Sequence, residues 1–228
     1  MSESVLGRGR AASPSFTVQV MAPLLGLEVL LVVLHLLGAS GLLGYRLGLW
    51  FDLNREQSVG TWFSSAQLLV VALAFALAAP RSSSPRPWFL WLMAAGFAFL
   101  SLDETISIHE AITAIARHRA RWLPEFPGGH GAWVAVYGVI GAAGLAVTWR
   151  ELLRLWSGYR VVAIVGAVGC AAYVSGAVAA EIAGYFGLIH DGALQVALEE
   201  FLEMLGGSLI LLAALELLRT KVRIAPRP

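Results

Sequence analysis

Two short segments carry most of the reactive side chains in this chain. Ser101 to Glu110 reads SLDETISIHE and holds Asp103, Glu104, His109 and Glu110; Leu198 to Met204 reads LEEFLEM and holds Glu199, Glu200 and Glu203. Both are embedded in apolar sequence. An acidic side chain at the centre of a membrane helix costs roughly 2.5–3.5 kcal/mol, so two such segments call for a compensating interaction or for water.

Helical spacing decides which of these groups can converge. At 100° per residue, Asp103 and Glu110 fall within about 20° of one another on a continuous helix, with Ser107 beside them and Glu104 and His109 flanking. Gln195, Glu199, Glu203 and Gly206 form a second stripe, with Glu200 at its edge. Glu181 and His190 belong to the same end of the chain's topology. Glu28 and His35, seven residues apart, share a face of an apolar stretch near the N-terminus.

Such crowding can be neutralised by protons, by arginine or by a metal ion. Several carboxylates with one or more imidazoles make the ligand set of Fe, Mn or Zn. The bundle di-metal signature, a His three residues after a Glu, is missing: neither His109 nor His190 has one. Five histidines are too few for a histidine-cluster desaturase.

The elements that must position these residues are membrane helices. Apolar residues make up 58% of the 228 and charged residues 14%, with a mean hydropathy of +0.73. Soluble domains hold about 45–50% and 25%. The net charge of +1 suggests no polyanionic partner, and the single cysteine, Cys170, excludes a disulfide framework. These numbers exclude a soluble enzyme or a nucleic-acid binder.

Six stretches reach the roughly 20 apolar residues that a bilayer demands: about 16–38, 61–79, 88–109, 132–149, 161–186 and 194–218. The first is too long for a signal-peptide core and is expected to be a retained span. The expected class is an all-α, six-span bundle (16–218) between a cytoplasmic tail at 1–15 and a basic cytoplasmic tail at 219–228. With the N-terminus inside, eleven basic residues fall in inner segments; Arg46, Arg55, Arg117, Arg119 and Arg121 fall outside. This obeys the positive-inside rule and predicts an inner-membrane protein with both termini cytoplasmic. Most acids then lie toward the outer face.

The leading expectation is a metal-dependent membrane enzyme, an oxidoreductase or hydrolase, acting on a lipid-phase substrate. Asp103, His109, Glu110, Glu199 and Glu203 are the expected ligands of a transition metal (Fe, Mn or Zn). Glu104, Glu181 or Glu200 would act as general base or hold a ligand in place. The alternatives are a cation or proton translocator, with Glu28 and His35 relaying inward from an acidic vestibule, and a non-catalytic subunit of a membrane complex.

Plainer readings stand beside these. The Asp103–Glu110 segment can be a wetted helix end, the sixth span can start at Phe201, and Glu181 can cap the fifth. Phe51 to Ser58 (FDLNREQS) lacks the glycine of a calcium loop and is expected as a solvated connection lying over the cluster. Cys170 is expected in packing, and Gly176, Ala180 and Gly184 on a helix-contact face. Arg117, His118, Arg119 and Arg121 read as a solvated face.

Overall fold

The computed structural model describes residues 15–119, 132–180 and 192–224. Among them there is no strand, and the chain is all-α as expected. The N-terminal residues to 14, the segments 120–131 and 181–191, and the last four residues lie outside the described set.

Local sequence sets where each helix begins. Ser15 opens α1 (Phe16–Ala39), its hydroxyl accepting the Val18 amide at 3.4 Å, and Ser58 caps α3 (Val59–Ala78) by accepting the Thr61 amide at 3.1 Å. Between them lies the short α2 (Gly44–Trp50), an element the sequence reading leaves as loop. Pro87 starts α4 (Pro87–Ile106), where its missing amide proton costs nothing. There follow α5 (Ile108–Arg119), α6 (Ala132–Gly158), α7 (Arg160–Val174) with a π-helical turn at Ser175–Ala180, and α8 (Gly192–Ile224).

Six of these helices, all but α2 and α5, are long and apolar enough to cross a membrane. Their outward faces are apolar too, with Val139, Ile140, Leu145 and Val161 more than half exposed. A bilayer is the environment that makes such a surface stable.

Packing centres on α8, which lies against α7, α3 and α1, while α4 lies against α3. The α7–α8 crossing is close enough to require glycine. A Cβ on Gly169 would sit 2.9 Å from the Gly206 carbonyl oxygen, and one on Gly206 2.7 Å from the Gly169 carbonyl. Gly176 continues this seam, as its spacing suggests: a Cβ there would lie 2.7 Å from the Glu199 carbonyl and from Glu203 Cγ. The α3–α4 pair is joined by a reciprocal bond, Ser65 Oγ donating to the Ser101 carbonyl and Ser101 Oγ to the Ser65 carbonyl, each at 2.8 Å.

Three boundaries differ from expectation. The third span ends at Ile106 and not near 109, because Ser107 turns left-handed (φ 53°) and its amide closes on the Asp103 carbonyl at 2.7 Å. The fourth runs through to Gly158: Glu151, 2% exposed, accepts the Arg86 amide at 2.9 Å and pairs with Arg154, so its charge is satisfied inside the helix. The sixth continues to Ile224 because buried Lys221 donates to Tyr159 Oη at 2.7 Å and to the Ser84 carbonyl. Cys170 is exposed on the bundle surface and not packed inside.

Candidate functional site

The break at Ser107 builds the site. On a continuous helix Asp103 and Glu110 would share one stripe; instead α5 starts afresh at Ile108 and folds His109 back over Asp103. Asp103 Oδ1 accepts the backbone amide of His109 at 2.9 Å and faces ring Nδ1 at 3.2 Å. The carboxylate thus caps the first turn of α5, where unpaired amides favour a negative group. Its other oxygen, Oδ2, accepts the Tyr137 hydroxyl of α6 at 3.0 Å. Asp103 is 6% exposed and both of its oxygens are occupied.

This arrangement fixes the imidazole. With Nδ1 carrying its proton toward Asp103, Nε2 is left as the coordinating or basic nitrogen. The carboxylate beside it holds the His109 imidazole above its usual value, partly opposed by burial. Trp133 packs edge-on to the His109 ring, centroids 5.5 Å apart, and Tyr137 lies 5.6 Å from Trp133. Neither aromatic is legible as a site residue in sequence: Trp133 reads as an interfacial anchor, and Tyr137 is one polar tip in an apolar span.

Above α5 comes the loop between α2 and α3. Leu53 plugs it into the core at 3% exposure, and the Leu53 amide donates to His35 Nδ1 at 3.1 Å. The other nitrogen of His35, Nε2, lies 3.2 Å from the Ala193 carbonyl at the start of α8. Nδ1 also lies 3.5 Å from Asp52 Oδ1. His35 therefore ties α1 to the loop and to α8. The loop brings in Glu56, which sequence reasoning did not name as a ligand. Glu56, His109 and Glu110 each offer one ligand atom, all within 4.8 Å of one another.

These three residues line a cavity of about 520 Å³. The face of α8 carrying Glu199, Glu200 and Glu203 lines it, as do Glu104 of α4 and Tyr173 and Ala177 of α7. The expected convergence of the two acidic segments is therefore present. Seven carboxylates line the cavity, with Arg55 and His109 as its basic groups. The close approach to α8 beside Glu199 and Glu203 falls within the π turn, at Gly176.

The remaining candidates lie elsewhere. Glu28 is wholly buried halfway along α1, away from the cavity lining. Glu181 and His190 fall outside the described residues, as do Gly184 and Arg121; the side chains of Arg117 and Ala180 are likewise outside them.

No curated protein and no solved structure matches this chain. The family described as Domain of unknown function (DUF8692) matches residues 24–218, which takes in both acidic segments and all six long helices in whole or in large part. By that match the chain belongs to the DUF8692 family.

Proposed function

We propose that this protein is a metal-dependent integral membrane enzyme whose transition metal (Fe, Mn or Zn) is held by Glu56, His109 and Glu110. The observation that carries the reading is the approach of one nitrogen and two oxygen ligand atoms to within 4.8 Å of one another in the lining of a carboxylate-rich cavity. Metal–ligand bonds of about 2.0–2.2 Å set ligands roughly 3–4 Å apart, so a small contraction closes the set. Positive charge there also offsets the seven carboxylates.

Each neighbour has a part in this scheme. Asp103 orients the His109 ring, taking Nδ1 to itself and leaving Nε2 as the nitrogen available for coordination. Glu199 and Glu203 line the same cavity and complete or extend the ligand set, while Glu104 and Glu200 are the candidate bases. A bound ion would supply Lewis acidity or dioxygen chemistry. Following the positive-inside assignment, the cavity faces the extracytoplasmic side of the cell membrane, and a lipophilic substrate enters it between helices. A cavity of about 520 Å³ is far larger than an ion needs and lies within the range of substrate sites. The enzyme reading is preferred to translocation because the described contacts of His35 are the Leu53 amide, the Ala193 carbonyl and the Asp52 carboxylate, and none of them is Glu28.

Elemental analysis of the detergent-purified full chain tests the proposal. Near-stoichiometric Fe, Mn or Zn is expected, lost in His109→Ala and Glu110→Gln and retained in Glu216→Gln, whose Arg219 pair lies at the opposite end of α8. Metal-free protein, or metal content indifferent to both site variants, overturns it.

A further inference from the structure

Glu28 poses a separate problem. It is 0% exposed at the middle of α1, and the polar groups beside it are neutral: Ser208 Oγ on α8 in hydrogen-bond contact and the Gln67 amide on α3, 3.4 Å from Oε1. No basic side chain pairs with it among the described residues. The α3 helix carries no charge, the nearest acids along α8 are Glu203 toward the cavity and Glu216 toward the other end, and on α1 only His35 is ionisable. Among the described residues, Glu28 Oε2 has no hydrogen-bond partner.

Apolar layers seal this group on both sides. One turn toward the acid-rich cavity, Leu31, Leu53, Phe63 and Met204 close together; on the far side Val71, Ala74, Ile210 and Leu211 do the same. A bare carboxylate between such layers carries a heavy desolvation penalty.

Counting hydrogens resolves the problem. The Gln67 amide fits when its nitrogen donates to the Met204 carbonyl at 3.2 Å and its oxygen accepts the Ser208 amide at 3.2 Å and the Ser208 hydroxyl at 2.8 Å. Reversed, it sets an oxygen against the Met204 carbonyl, acceptor to acceptor. Gly207 leaves room for this insertion, since a Cβ there would collide with the Gln67 amide. The single hydrogen of Ser208 Oγ is thus given to Gln67. The close contact between Ser208 Oγ and Glu28 Oε1 still needs a hydrogen between two oxygens, and Glu28 is the remaining source. Oxygens this close leave no space for a metal ion between them.

We propose that Glu28 is a proton-binding site sealed at the middle of the bundle. Its Oε1 hydroxyl donates to Ser208 Oγ and starts a neutral chain that runs through Gln67 to the Met204 carbonyl. The unpartnered Oε2 is then a neutral carbonyl oxygen, which is far cheaper to bury unpaired than a charged one. Release of the proton would turn the Ser208 hydroxyl back to Glu28 and deprive Gln67 of its donor. Protonation is thereby linked to the grip of α3 on α8. The inference stands whether or not the cavity holds a metal.

Infrared difference spectroscopy of the full chain in lipid nanodiscs at neutral pH, wild type against Glu28→Gln, tests the site. The expected difference is loss of a carbonyl stretch of a protonated carboxylic acid that shifts in D2O. Ser208→Ala, which keeps Glu28 in place if the glutamine variant fails to fold, is expected to move the same band in frequency without abolishing it. Loss of carboxylate stretches in place of that band, a carbonyl band indifferent to both variants, or bands that respond to added sodium ions overturn the proposal.

Discussion

Asp103 holds His109 twice, through the backbone amide at 2.9 Å and the ring Nδ1 at 3.2 Å, six positions along the chain and across the one-residue helix break at Ser107. One carboxylate thereby ends the exposed-amide problem of α5 and selects the imidazole tautomer. The same group that folds the local backbone also orients the ring for the coordination proposed above, so structure and chemistry can be separated by substitution.

Asp103→Asn makes that separation. Asparagine still accepts the His109 amide and still meets the Tyr137 hydroxyl, so unfolding temperature is expected to change little. The charge that raises the basicity of the ring is lost, and metal affinity is expected to fall about 10–100-fold. Asp103→Ala, by contrast, removes the cap and is expected to cost about 1 kcal/mol of stability. Competitive metal titration and thermal unfolding of both variants check the contrast; equal metal affinity in wild type and Asp103→Asn would remove the orienting role.

Acidity should act oppositely on apo and metal-loaded protein. His109 is raised above its ordinary value by Asp103, so the stability gained from this pair is fully present below about pH 6.5, the unfolded value, and is lost as pH rises through the higher folded value. Metal binding needs the unprotonated Nε2 and so strengthens over that same rise. Apo protein is expected to lose unfolding temperature through this window while the stabilisation by added Zn²⁺ grows. His109→Gln should flatten both trends, and parallel curves for apo and loaded protein would contradict the assignment.

The helices and the burial of Glu28 are legible in the sequence because they depend on apolar run length alone. The convergence of Glu104 with Glu199, Glu200 and Glu203 is legible too, since span count fixes which ends are neighbours. The turn at Ser107 is not. SLDETISIHE contains no Gly or Pro, and a serine in the left-handed region carries no sequence mark; the helix stops because Asp103 competes for the His109 amide. Glu56 is hidden for another reason. Its place depends on how Leu53 and His35 dock the loop, a tertiary contact with no periodicity to announce it. The sequence therefore names Glu110 and His109 as ligands but misses the third member of their group.

That docking yields the last prediction. His35 accepts the Leu53 amide and meets the Ala193 carbonyl, so its ring is a strut between α1, the Glu56 loop and α8. Replacing it with alanine takes the acceptor away from the Leu53 amide inside the bundle, a penalty of about 1–3 kcal/mol where water does not reach it. The loop is the least embedded of the three, held otherwise by Leu53 in its pocket and by Thr61 Oγ1 donating to the Arg55 carbonyl at 2.9 Å. His35→Ala is therefore expected to release the loop first, speeding hydrogen exchange at Leu53 and weakening metal binding at Glu56 without altering His109 or Glu110. A relay histidine would behave differently: its loss would leave loop exchange and metal affinity untouched and would abolish proton flux in reconstituted vesicles. Hydrogen exchange and metal titration on the same preparation distinguish a strut from a relay, because only a strut moves both together.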